Sequence, residues 1–383
     1  NYQDMWAYTF SGSSSSLGRP FSYLTFALQA EHWSHNPFPF KVVNLVIHII
    51  NSALLYGCAY LCALLISVDK KKRVLFAGIC TLLWAFMPMN TTTVFYVIQR
   101  MTLLAGTFTL VGILGFLYGV AIELKKGNQY GRLIASASMA IGYLLGILSK
   151  ENAIMLGMFV GGIYFSMIRS QLQANRKWWD CWVFVFAFLP LAMLFIYVVW
   201  GWGFLKVYKI RDFTVLERVM TEWRILWDYL LKILAPSPSR INLFNDDFVI
   251  SRSILNPIST LIAILGWFVV VVFAWFKRTT LPFLWFSVVW FLGGHLLESS
   301  IVGLELYFEH RNYLPAVGVI IGLVWFLFYA WDRTVVVLSG PRRKIVQGCL
   351  VSFVSVYAIW WAGIFYVEGK TWEDKESFYM AAQ

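Results

Sequence analysis

Apolar stretches of about twenty residues recur along this 383-residue chain, separated by polar or basic segments. They fall at 42–67, 74–89, 103–123, 133–149, 153–168, 181–202, 257–276, 281–299, 312–332 and 345–366. Backbone inside lipid finds no water for its N–H and C=O groups, so each stretch must satisfy them internally as a helix. The expectation is an all-α, polytopic membrane bundle of about ten helices, with 133–168 divided at its polar SKEN break. Composition agrees. Only 13% of residues are charged, roughly half the soluble average of about 25%. The 19 Trp and 19 Tyr supply amphipathic rings of the kind enriched where bilayer meets water.

The formal charge of +11 does not point to nucleic acid, because the basic residues sit in short clusters between apolar runs rather than along one face. These clusters are Lys70-Lys71-Lys72-Arg73, Lys125-Lys126 with Arg132, Arg169 with Arg176-Lys177, Lys277-Arg278, and Arg333 with Arg342-Arg343-Lys344. They occupy alternate connections, so the positive-inside rule assigns them all to the cytoplasm. That leaves 1–41, 90–102, 149–152, 203–256, 300–311 and 367–383 outside. The five cysteines lie in apolar segments without CxxC spacing and are expected to be packing residues. His48, with Asn44 and Asn51, is expected to hydrogen-bond inside the bundle.

The long outer stretch 203–256 should carry structure of its own. Its segment 213–234 has apolar residues at helical spacing with charge opposite, as in a helix lying at the membrane interface. Pro236 and Pro238 should end it, leaving 235–256 as loop. Residues 1–366 thus form one transmembrane domain and 367–383 an outer tail.

Ionisable residues are densest after the eighth run: His295, Glu298, Glu305, then Tyr307-Phe308-Glu309-His310-Arg311-Asn312-Tyr313. Such groups at the mouth of a bundle are costly to desolvate and are functional candidates by default. Glu298, Glu309, His295 and His310 suit acid–base work and Arg311 suits phosphate; a divalent metal is possible, and a salt-bridged loop cap is the structural alternative. His295 and Glu298 are expected on one helix face. Ser149-Lys150-Glu151-Asn152 breaks two apolar runs. Either Lys150 meets a lipid phosphate and Glu151 orients it, or the segment is a hairpin turn with snorkelling charges. Arg19, and Arg100 beside Gln99, are isolated cations suited to phosphate or to anchoring at the interface. Asn245-Asp246-Asp247 is either an acidic pair for a hard cation or a turn.

Several motifs, taken in order, carry a resemblance: LGRPFSYLTFAL (17–28), FKVVNLVIHIINSALL (40–55), FYVIQRMTLLAG (95–106), LSKENAIM (148–155), FTVLERVMTEWRILWDYL (213–230), NLFNDDF (242–248) and GHLLESSIVGLELYFEHRNYLP (294–315). Together they resemble bacterial multi-pass glycosyltransferases of the GT-C superfamily, related to the transmembrane and tetratricopeptide-repeat O-mannosyltransferases. The resemblance implies a GT-C bundle in the bacterial inner membrane, with the active face and C-terminus periplasmic. It also implies transfer of sugar from a polyprenyl-phosphate carrier to a protein or glycan acceptor. Arg311, Lys150, Arg100 and Arg19 are then expected to hold the donor phosphate, and Glu151, Gln99, Tyr313, Asp246 and Asp247 to shape the site. The family's first helix and acidic pair precede the GRP motif, and Asp4 is the only carboxylate ahead of it here. The catalytic base is therefore expected upstream of Asn1; relatives often continue after a Trp like Trp372 into tetratricopeptide repeats, of which 367–383 would be the start. A non-catalytic GT-C-like subunit of a membrane complex is the alternative.

Overall fold

The structure is a computed structural model, described here for all residues except 1, 13–17, 34, 128, 198–203, 242–244, 246 and 374–383. It is helical, with no strand among the described residues. Two short helices, α1 (Tyr2–Phe10) and α2 (Pro20–Ala27), lead into the long α3 (Phe38–Leu65). There follow α4 (Lys70–Ala85), the one-turn-and-a-half α5 (Asn90–Phe95), α6 (Arg100–Lys126) and α7 (Tyr130–Ile147). The next two runs are each built from pieces: α8 (Leu156–Ile163) with its flanking turns, then α9 (Arg176–Val183) and α10 (Leu189–Ile196). After α11 (Val215–Leu234) come α12 (Ser259–Phe276), α13 (Pro282–Gly294), α14 (Pro315–Val337) and α15 (Gly340–Lys370).

Every apolar run read from the sequence contains helix, and among the described residues eight helical stretches are long and apolar enough to cross a membrane. The chain is thus a multi-pass helix bundle. The run expected at 74–89 is displaced by four residues towards the N-terminus, and the one expected at 281–299 is shorter. Helix α4 has 16 residues and opens on Lys70–Arg73. Helix α13 has 13 and stops at Gly294, because the chain beyond unwinds into the polar segment described below.

Local chemistry accounts for the irregular pieces. Pro190 has no N–H to return to the Phe186 carbonyl one turn back, and the helix widens into a π turn over Phe184–Phe188. The released Phe186 carbonyl instead accepts from the Tyr143 hydroxyl at 2.7 Å, so α7 supplies the bond that proline cannot. Between α6 and α7 the backbones approach closely. A Cβ at Gly119 would lie 2.2 Å from the Gly131 carbonyl oxygen, and the reverse holds at Gly131. Small residues permit such contact, and contact of this kind drives association where lipid removes the hydrophobic incentive.

Stacked aromatics fill the centre, among them Phe283 on Trp325 at 4.0 Å and Phe159 on Trp290 at 4.3 Å between ring centroids. Cys58, Cys62 and Cys80 pack inside as expected, whereas Cys181 and Cys349 are exposed on the outer helix faces. The basic connections gather at one end, where Lys72 pairs with Asp332 at 2.7 Å and Arg169 with Asp180 at 2.8 Å. At the opposite end contacts join residues 19, 150–151, 211 and 298–305. The candidate site lies there.

Candidate functional site

Helix α11 is the buttress of the site. Thr214 and Glu217 form a capping box at its start: the Glu217 carboxylate accepts from the Thr214 N–H at 2.8 Å, and the Thr214 hydroxyl accepts from the Glu217 N–H at 3.3 Å. Arg218, Glu222, Tyr229 and Lys232 follow at spacings that keep them on one face, and all four are buried. The helix expected over 213–234 is present, and its charged face is turned into the protein. Polar groups face the protein, while Leu216 and Leu231 are exposed. The reason is hydrogen-bond demand. The chain after α13 is not helical, and its carbonyls need donors.

Arg218 supplies them. Its guanidinium donates to the carbonyls of Glu298 (2.6 Å), Ser300 (3.0 Å), Leu304 (2.5 Å) and Glu305 (3.2 Å), and pairs with Glu222 at 2.9 Å. Lower down, the Tyr229 hydroxyl donates to the Phe308 carbonyl and accepts from the Phe308 N–H, both at 2.9 Å. Lys232 pairs with Glu309 at 2.9 Å, and the Tyr307 hydroxyl donates to Asp228. Burial pushes the Glu222 carboxyl up to about 7, against the pull of Arg218 and Arg311.

The SKEN segment forms the facing wall. Lys150 has an extended backbone between α7 and the turn Glu151–Met155. Its buried ammonium pairs with Glu298 at 3.1 Å and donates to the Thr102 hydroxyl at 3.1 Å. It is thus not a snorkelling charge. Arg19 adopts a left-handed backbone, φ 52°, just before Pro20, a conformation costing a non-glycine residue roughly 1 kcal/mol or more. That turn sends its guanidinium to Glu151 at 2.9 Å. Helix α2 is stitched to the same wall by Phe21 N–H to Leu148 O at 3.1 Å and Ser22 hydroxyl to Ser149 O at 2.9 Å.

Between the walls lies a cleft of about 370 Å³ lined by Arg19, Gln99, Lys150, Arg211, Glu298, Glu305, Glu309, His310 and Arg311, with Tyr96 and Phe308 at its sides. Burial lowers the Lys150 ammonium, opposed by Glu298 and reinforced by Arg19 and Arg311. Burial alone would raise the Glu298 carboxyl, but Lys150 and Arg311 outweigh it and hold the group below the ordinary range. Burial, with Lys150, Arg311 and Arg19 beside it, pushes the His310 imidazole well below its ordinary range. The Arg311 fork donates to the Leu306 carbonyl at 2.8 Å and the Glu305 carbonyl at 2.5 Å.

Most residues singled out in the sequence meet here, and the exceptions have physical causes. Arg100 is fully buried, and its guanidinium is bound to Asn44 (3.0 Å), the Thr25 carbonyl (3.0 Å) and the Phe40 carbonyl (3.2 Å). It fastens α6 to α2 and α3 and does not face the cleft. Tyr313 is buried in the bundle, where its hydroxyl meets His48 and Asn51, each at 2.9 Å. His48 also bonds the Ala85 carbonyl at 3.0 Å, so this polar trio is internal, as expected. His295 is not on a helix face with Glu298, because α13 ends just before it. It stacks on Tyr229 and bonds Asn312 at 3.2 Å, behind the cleft wall. Burial pushes its imidazole down to about 4. Asp247 is exposed in a turn and does not line the cleft, and Asp246 lies outside the described residues. Among the described residues no three His, Cys, Asp or Glu side chains gather in a way that could hold a metal ion.

Sequence reasoning missed Arg211, Arg218, Glu222 and Lys232. A usable signal existed for the last three: they share one helical face with Ile225 and Tyr229, which marks a buried polar face rather than a solvated one. Arg211 pairs with Glu305 across the cleft rim, and nothing in its spacing announces this. Comparison with known proteins adds no relative: no family model, curated protein or solved structure matches the chain. The chemistry must be read from the cleft itself. It offers several cations for an anion, carboxylates, and an imidazole whose proton affinity is lowered.

Proposed function

We propose that the chain is a GT-C-type membrane glycosyltransferase. It would move a sugar from a polyprenyl-phosphate donor to a hydroxyl of a protein or glycan acceptor, on the periplasmic side of a bacterial inner membrane. One observation carries this reading: cations from four separate segments, Arg19, Lys150, Arg211 and Arg311, converge on a single cleft with Glu298, Glu309 and His310 at the end of the bundle opposite its basic connections. Guanidinium and ammonium groups in a partly dry site stabilise a leaving phosphate most where its charge develops. In the reaction the acceptor oxygen bonds to the anomeric carbon, and the bond from that carbon to the phosphate oxygen breaks. The phosphate leaves with the electron pair, and the hydroxyl proton passes to a carboxylate.

Glu298 and Glu309, which line the cleft, are the candidate proton acceptors within this chain, beside a base expected upstream of Asn1. His310, flanked by cations, is a weak base and better suited to hydrogen-bond the substrate. His295 lies behind the wall and acts through Asn312 and Tyr229 as a positioning residue. The test is transfer from a labelled polyprenyl-phosphate sugar by the reconstituted full-length protein. Lys150→Ala and Arg311→Ala are each expected to slow transfer by about 100-fold or more. A full-length protein that folds, retains donor and transfers nothing would overturn the enzyme reading. It would favour a GT-C-like assembly subunit, a reading supported by the ion pairs Arg19–Glu151, Lys150–Glu298 and Arg211–Glu305, which already balance much of the charge.

A further inference from the structure

A second concavity lies at the same end of the bundle, on the far side of α5. It is a groove of about 1080 Å³ between the start of α3 and the end of α15. Its floor is apolar, built from Val42, Leu45, Phe86 and Phe365, and its rim carries Lys41 and Lys370. Both helices are long and apolar enough to cross a membrane, so the groove opens sideways where lipid is the neighbour. The Lys41 ammonium donates to the Trp372 carbonyl at 2.6 Å, and the Lys370 ammonium lies 5.0 Å from the centre of the Tyr366 ring. Trp372 in turn packs on Tyr96, ring centroids 5.9 Å apart, and Tyr96 lines the cleft described above. The aromatic pair separates the two cavities.

We propose that this groove seats one anionic phospholipid of the bilayer, an acyl chain along Leu45 and Phe365 and the headgroup phosphate between Lys41 and Lys370. The argument is complementarity of two kinds. An apolar trough between membrane helices takes a hydrocarbon chain, and two ammonium groups at one end favour an anionic headgroup over a zwitterionic one. Each lysine near a membrane surface contributes about fivefold to attraction for anionic lipid. Glu373 also lines the rim, which offsets part of the charge and leaves a net positive mouth. The site is distinct from the cleft and does not depend on the transferase reading.

The test is native mass spectrometry of the full-length protein in detergent, titrated with phosphatidylglycerol or with phosphatidylcholine of the same chains. A single phosphatidylglycerol should be retained preferentially. Lys370→Gln, at an exposed position, should reduce its retention about fivefold, and adding Lys41→Gln should reduce it again by a similar factor. Leu45→Trp, also exposed, should block the trough and lower retention of both lipids while leaving the melting temperature unchanged. Equal retention of the two lipids, or retention indifferent to Lys370→Gln and Leu45→Trp, would overturn the proposal. So would displacement of phosphatidylglycerol by an equimolar polyprenyl phosphate, which would assign the groove to a carrier lipid.

Discussion

At the scale of single residues, the site is a set of charges that burial makes expensive and partners make tolerable. His295 shows what that means for pH. Its buried imidazole is pushed down to about 4 from an ordinary 6.5, so the unfolded chain takes up the proton first as pH falls. The stabilisation is complete above pH 6.5 and is lost on descending towards pH 4, amounting to roughly 3 kcal/mol. The melting temperature in detergent should therefore fall across that window, and His295→Phe, which keeps a ring against Tyr229, should flatten the slope. A variant with the same slope as the natural protein would contradict this account. Residue chemistry was legible in the sequence where it is local. Lys150, Glu309, His310 and Arg311 each sit in a polar break between apolar runs, Glu298 closes the run before the last three, and such breaks fall at bundle mouths. Arg100 sits in a similar break, yet its fate depends on the carbonyls of Thr25 and Phe40. Those are supplied by distant chain that no spacing reveals.

At the scale of elements, α11 decides whether the cleft exists. One guanidinium holds four carbonyls of the segment after α13, and Glu222 balances it at 2.9 Å. Arg218→Met strands a buried carboxylate and several carbonyls, and should cost about 3–5 kcal/mol. Adding Glu222→Met removes the stranded charge and should recover part of that loss, as a double-mutant comparison of unfolding in detergent would show. If the double variant is no more stable than Arg218→Met, the pairing is not what limits the helix. The helix itself was evident from periodicity, and its end before Pro236 and Pro238 was also readable. Its inward polar face was not, because amphipathicity alone does not say whether water or the protein's own unwound backbone receives the charged side.

At the scale of the whole molecule, the fold follows from lipid's refusal to hydrate backbone, which is why the helical runs were legible throughout. The lengths were less so. Helix α13 gives up its last turns because the chain there serves the cleft. The alternation of basic connections predicts a sidedness that can be measured. Cysteines introduced at Lys71, Arg278 or Arg343 should react with an impermeant thiol reagent only from the cytoplasmic side, and those at Asn36 or Ser253 only from the other. Labelling of both sets from one side would refute the orientation. The paired cations have a mechanical meaning as well. Arg19–Glu151, Lys150–Glu298 and Arg211–Glu305 are rivets between separate chain segments. An incoming anion competes for the same rivets. Occupancy of the cleft and cohesion of its walls are therefore inversely linked, and a ligand that binds there loosens the joint that shaped its own seat.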